Sequence, residues 1–253
     1  MECTTIYSNG EHRWLVFGRD PEKPDSLIDT NQVVVVDGDS AMLLDPGGSE
    51  IFPEMLSALT GAVSPDQVRS IFLSHQDPDI GSSLPLWRRV CREDVKIYLS
   101  WLWAGFVAHF DREADFVEIP DQGQGVSVGR RQLKLLPAHY LHSPGNFHVY
   151  DPGARILFTG DVGGALVPKG AAKDMFVHDF DRHIQYMELF HRRWFCSPAA
   201  RDAWVAMVSH LEIDILVPQH GLLFRGEDVG RFLKWFGGLE LGSGIEAFGQ
   251  VKL

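Results

Sequence analysis

Six side chains in this 253-residue sequence are of types that hold metal ions, and each follows an apolar run that reads as a buried strand. The stretch "SHQDPDI" presents His75, Asp77 and Asp79 directly after Ile71-Phe72-Leu73. His142 lies in "HYLHSPGN", Asp161 ends "ILFTGD", and His220 stands in "ILVPQHG". Imidazole nitrogens and carboxylate oxygens suit transition metals, and residues leaving buried strands at one sheet edge can converge on one cavity. Singly, each has an ordinary reading. Asp161 can cap a turn before Gly163-Gly164, and His220 can be a satisfied histidine ahead of a glycine turn. Together, the six point to a metal centre. Gly163-Gly164 lets the backbone turn away from it and does not cradle phosphate, since no Gly-x-x-x-x-Gly-Lys pattern follows.

The elements that must position these residues alternate along the chain. "QVVVVDGDSAMLLD" reads as a hairpin turning at Asp-Gly-Asp, and "SEIFPEMLSALTGA" as a helix with Ile51, Met55, Leu56 and Leu59 on one face. A short helix "SPDQVRS" and the strand "IFL" precede the first motif, which sits in a strand-to-helix loop before the apolar-periodic "SSLPLWRRVC". A strand "VKIYLS", a helix "WLWAGFVAHF" and a strand "DFVEIP" follow. Next come two hairpins, "VSVGRRQLKLLPAHY" and "NFHVYDPGARILFTGD", the second turning at Asp151-Pro-Gly-Ala. The remainder holds the helices "DRHIQYMELFHRRWF" and "SPAARDAWVAMVSHL", the latter capped by Ser197 with Pro198 in first position, then the strand "DILVPQHG" and the helix "EDVGRFLKWFGGLE". This order predicts an α/β chain: an αββα sandwich of two mixed sheets with helices on both outer faces, one domain over residues 1–253.

Composition narrows the function. With 34 acidic against 23 basic residues, a net charge of −11 and no basic run longer than Arg-Arg, a nucleic-acid groove is not expected. Cys3, Cys91 and Cys196 are odd in number and scattered, which argues against a disulfide framework and for a reducing cytoplasm. No apolar stretch approaches the roughly 18 residues of a membrane span, and the N-terminus lacks the charged and apolar regions of a signal peptide.

The set His-x-Asp-x-Asp, then a histidine followed by Ser-Pro-Gly, then Thr-Gly-Asp, then Gln-His-Gly after an apolar strand resembles the metallo-β-lactamase superfamily over nearly the whole chain. Where its hydrolases carry His-x-His-x-Asp-His, this sequence has Asp77 for the second histidine and Ile80 for the last. The resemblance implies that one metal takes His75, Asp77 and His142, that a second takes Asp79 and His220, and that Asp161 bridges them. A carboxylate in place of an imidazole makes the first position harder and more anionic, favouring iron or manganese over zinc. The pattern is most similar to the flavodiiron proteins and to stand-alone oxygen-binding di-iron proteins of the same fold. It implies a non-haem di-iron centre that binds dioxygen as a sensor or carrier, and reduces oxygen or nitric oxide only with an external electron donor. Since the chain stops at Leu253 after a short tail, no flavin-binding domain is expected within it. A separate redox or signalling protein as partner, and a homodimer, are further expectations of the resemblance. The alternative within the superfamily is a binuclear hydrolase of a thioester, lactone or phosphodiester, in which the metals lower the pKa of a bridging water.

Other residues carry narrower expectations. Ile80 leaves the second metal one imidazole short and, with Trp87, Trp101 or Trp103, is expected to wall an open position against water. Strand alternation places Tyr140 on the side of His142, as a hydrogen-bond donor near the metals, and His139 on the opposite face. His12, His148 and His178 are expected to face solvent, and His183 and His191 to lie on an ordinary helical surface.

Overall fold

Every residue from Val33 to Val36 and from Ala41 to Leu44 is apolar, so the strands they form must be covered on both faces. In the computed structural model, which describes residues 1–18 and 27–250, these strands are β3 (Asn31–Asp37) and β4 (Ser40–Leu44), buried throughout. They pair as the expected hairpin and lie inside a seven-stranded sheet. Its other members are β1 (Glu2–Asn9), β2 (His12–Gly18), β5 (Val68–Phe72), β6 (Lys96–Ser100) and β7 (Phe116–Ile119), all in chain order. Strands β1 to β4 are antiparallel and β4 to β7 parallel, so the sheet is mixed.

The second sheet runs β13 (Phe224–Arg225), β12 (Ile215–Val217), β11 (Ile156–Phe158), β10 (Phe147–Asp151), β9 (Arg131–Pro137) and β8 (Gln124–Val128). It too is mixed, because β11 and β12 are parallel while its other pairs are antiparallel. One apolar cluster, including Val33, Val35, Phe72, Phe147 and Phe158, joins the two inner faces. A second packs the first sheet on α1 (Phe52–Thr60) and α3 (Leu84–Val90), and a third packs the second sheet on α5 (Phe180–Trp194), α6 (Pro198–Val208) and α7 (Glu227–Gly237). The layers are therefore helix, sheet, sheet, helix, as the order of elements predicts. No helix among the described residues is long and apolar enough to cross a membrane.

Local differences have local causes. The helix expected from Ser49 starts at Phe52, with Pro53 in its first turn. "SPDQVRS" is a single 3-10 turn at Pro65–Gln67, closed by Ser64 and Gln67 as a capping box, because Val68 already pairs with β4. "WLWAGFVAHF" keeps only the one-turn α4 (Ala104–Val107). The N-terminal hairpin β1–β2 was not anticipated, although Asn9-Gly10 is a turn signal and Gly10 takes a positive φ of 65°.

Candidate metal centre

Parallel strands and their crossovers bring loop residues to one edge of a sheet, and here both sheets contribute. His75 follows β5, Asp161 follows β11, His220 follows β12, and His142 lies in the connection from β9 to β10. Asp77 stands at the N-cap position of the short helix α2 (Pro78–Gly81), its side chain free of a capping bond, and Asp79 sits in the helix's first turn. The six residues that the sequence singles out thus meet between the sheets' ends.

The geometry divides them into two groups with Asp161 between. Ligand-type atoms of His75, Asp77 and His142 all lie within 4.8 Å of one another. His75 Nε2 and His142 Nε2 are 3.4 and 3.5 Å from Asp77 Oδ2, and 3.7 and 2.7 Å from Asp161 Oδ2. On the other side, His220 Nε2 lies 3.5 Å from Asp79 Oδ2 and 3.3 Å from Asp161 Oδ1. The two oxygens of one carboxylate face two different sets of donors. Two of these atoms, Asp161 Oδ1 and His142 Nε2, are buried without a hydrogen-bond partner among the described residues. Buried polar atoms that converge at short range without aligned hydrogen bonds, such as His142 Nε2 at 2.7 Å from Asp161 Oδ2, fit the shell of a cation. Three imidazoles and three carboxylates are donor types that could hold divalent ions of the iron kind.

Charge supports the same arrangement. Burial works to raise the Asp161 pKa, yet the imidazoles of His75, His142 and His220 overcome it and hold the carboxyl well below the usual range. Burial opposes protonation of His142 and His220, but the surrounding carboxylates push them up to about 10 and about 9. Burial works to raise both Asp77 and Asp79; hydrogen bonds to two imidazoles overcome it and lower Asp77, whereas Asp79, with weaker help from His220 and His75, stays raised. The carboxylates need positive charge beside them, which protons or metal ions can supply.

The ring orientations are fixed from behind. Ser74 Oγ lies 3.0 Å from His75 Nδ1 and donates to Asp45 Oδ2 at 2.6 Å, while the Ser74 amide donates to Asp45 Oδ1 at 2.7 Å. His75 Nδ1–H therefore donates to the hydroxyl, leaving Nε2 for the centre. Asp45 is fully buried at the end of β4, and burial lifts its pKa to about 7 against the pull of Ser74. On the other side, His220 Nδ1 donates to the Asp29 carbonyl at 2.8 Å. Asp45 is a residue that sequence reasoning missed; an aspartate in "LLDPGG", at the end of the strand beside β5, was the available signal.

Several neighbours differ from expectation. Ile80 is fully buried, but in the cluster between the first sheet and its helices, where Trp87 also packs. Trp101 is half exposed and donates to Asp121, and Trp103 lies partly buried against the same cluster as Ile80. The aromatic rings that do meet the centre come from α5 and its end: Phe195 edge-on to His142 at 6.3 Å and Phe190 to His220 at 6.2 Å. Tyr140 is not on a strand. β9 ends at Pro137, and Tyr140 turns in a loop at a φ of 66° with 57% of its surface exposed, so strand alternation does not apply. His139, in the same loop, hydrogen bonds the Asp121 carbonyl.

The histidines expected at the surface are mostly interior. His12 lies 2.8 Å from Asp151, which also accepts from Trp14. His148 accepts from Trp204 Nε1 at 3.0 Å, and His183 and His191 lie on the covered face of α5. A helix face looks ordinary until the sheet and α7 that cover it are known. Only His178, paired with Asp174, is exposed among these five.

The Asp77 and Asp79 side chains, each one-third exposed, form the open rim of the centre, while His75, Asp161 and His220 are enclosed. A small molecule entering from solvent would pass these carboxylates.

Comparison with known proteins gives this geometry a setting. Residues 28–221 match the family model described as ODP family beta lactamase. The chemotaxis sensor ODP, solved as a peroxy di-iron species, is 35% identical, with a TM-score of 0.86 covering 98% of this chain and 100% of that one. Its apo state from T. denticola superposes with a TM-score of 0.87 at 35% identity, covering 98% of each chain. Among curated proteins, the rubredoxin-oxygen oxidoreductase of Megalodesulfovibrio gigas is 22% identical over 79% of this chain and 50% of its own length. The type A flavoprotein fprA of Rhodobacter capsulatus is 26% identical over 77% of this chain and 45% of its own. The chain thus spans about half the length of the curated relatives it matches. The expectation of a flavodiiron-type relationship holds, and the hydrolase alternative finds no support in these comparisons.

Proposed function

Because the chain belongs to the ODP family of β-lactamase-fold proteins, we propose that it binds dioxygen at a non-haem di-iron centre and serves as an oxygen sensor or carrier. The observation that carries the reading is Asp161, whose two carboxylate oxygens face separate donor groups at 2.7 and 3.3 Å. Two ferrous ions there would supply electrons to dioxygen, and three anionic ligands favour the higher iron charge that results.

The chain's own residues account for the rest. His75, Asp77 and His142 would hold one ion, Asp79 and His220 the other, and Asp161 both. Ser74 and the Asp29 carbonyl fix the imidazole tautomers, so that Nε2 faces the centre in His75 and His220. Phe190 and Phe195 cover His220 and His142 with apolar rings, which excludes water from that side. The rim at Asp77 and Asp79 leaves an entry for a diatomic ligand. Among the described residues, Asp79, His220 and the shared Asp161 would be the donors to the second ion. A signalling or redox protein that reads or resets the centre is part of the same proposal.

The test is anaerobic loading with ferrous iron, metal analysis after desalting, and visible spectra before and after oxygen. The expected result is two irons per chain and a new visible absorption on oxygenation. Loss of iron on desalting, or an unchanged spectrum, rejects the reading.

A further inference from the structure

His191, near the end of α5, is fully buried and has both ring nitrogens engaged. Its Nδ1 lies 2.8 Å from the Met187 carbonyl, which can only accept, so the proton sits on Nδ1. Its Nε2 then carries a lone pair, and it accepts the Gly163 amide at 2.9 Å. Gly163 is two residues beyond Asp161, at a φ of 93° that a side chain would disfavour.

The turn that carries Asp161 is otherwise closed by its own groups and the next strand. Thr159 Oγ1 donates to the Val162 carbonyl at 2.6 Å, the Gly164 amide to the Asp161 carbonyl at 2.9 Å, and the Thr159 amide to Val217 at 3.0 Å. The Gly163 amide leaves the turn and is received by a helix. His191 is also held in plane, its ring stacked on Phe195 at 5.0 Å with 15° between planes. Three residues at this end of α5 therefore reach the candidate centre: Phe190 at His220, Phe195 at His142, and His191 behind Asp161. Of these, His191 makes the directional bond.

We infer that His191 is a positioning residue for the metal centre, its Nε2 lone pair fixing the Gly163 turn so that the Asp161 carboxylate faces both donor groups. The inference rests on the two-metal reading above. An imidazole suits the task because one ring offers a donor to its own helix and an acceptor to the turn.

The test uses the full chain loaded anaerobically with Mn(II), read by metal titration and by electron paramagnetic resonance, which separates a coupled pair of ions from isolated ones. His191→Phe keeps an aromatic ring, slightly larger, and removes both the Nε2 acceptor and the Nδ1–H donor, and it should lose the coupled signal and weaken the second ion about 10- to 100-fold. His191→Gln restores an acceptor near the position of Nε2 and should recover the coupled signal. His191→Asn places its amide near Nδ1, short of Gly163, and should not. If the Phe variant fails to fold, the Gln and Asn pair decides. Equal signals in those two, or a wild-type signal in the Phe variant, overturn the inference. Failure of the wild-type protein to bind two ions would instead reject the two-metal reading.

Discussion

The two halves of the candidate centre are unequally furnished. On the His75 side three donors lie within 4.8 Å of one another, and His75 is backed by a side-chain relay through Ser74 to the buried Asp45. On the His220 side the described residues supply two, Asp79 and His220, 3.5 Å apart, and the imidazole is backed by a backbone carbonyl. Asp77, hydrogen-bonded to two imidazoles, is held low, while Asp79, where burial outweighs the imidazoles, is raised. In the di-iron reading the first half holds its ion tightly, while the second keeps room for a ligand. A binding protein needs both properties at once, and the proposed centre would assign them to different donors around a shared carboxylate.

The strongest way to break this comparison is to remove what the halves share. Asp161→Ala should take the metal content from two ions per chain to below one, measured by metal analysis after anaerobic desalting. Next in size, the halves can be set against each other. His75→Ala should weaken the tighter ion by 100-fold or more, whereas His220→Ala should leave one ion per chain with affinity within about tenfold of the wild type. Equal losses in competition titrations with a metal indicator would show that the halves do not act separately. Ser74→Ala sharpens the point about backing. It should weaken the first ion about 10- to 100-fold and, by leaving Asp45 buried without its hydroxyl partner, lower stability by about 1–3 kcal/mol in urea titration.

The smallest effect near neutrality concerns the histidines behind the second sheet. Burial lowers His183 and His191 to about 4 and, with the nearby His75 imidazole, His148 to about 3. The unfolded chain takes up these protons below about pH 6.5 and the native protein does not. Their stabilisation is therefore full above that pH and is lost as pH falls through about 4 and then 3. Each contributes a slope of up to about 1.4 kcal/mol per pH unit. Thermal melts from pH 7 to 4 should show the decline, and His148→Phe should make it shallower.

Much of the fold was legible because strands buried on both faces leave unbroken apolar runs, as in "QVVVVD", and because Ser197-Pro198 announces a helix start. The six candidate donors stood out for a related reason: a His or Asp directly after such a run needs a purpose. What stayed hidden depends on contacts between distant elements. Asp45 reads as a turn residue until β4 is known to lie beside β5, and His191 reads as surface until α7 covers α5. Ile80 illustrates the opposite failure. Its place in the motif suggested a wall of the centre, while its side chain belongs to the core behind the first sheet.

The attachment of His220 also has a meaning in time. His220 is tied to the Asp29 carbonyl, the Asn31 amide to the Gln219 carbonyl, and the Asn31 side chain to the carbonyls of Pro218 and Gly221. These bonds join positions about 190 residues apart, as between Asn31 and Gly221. In the order of synthesis, His75, Asp77 and His142 all precede His220 by many residues. The proposed centre would therefore be completed only when β12, one of the last strands made, takes its place.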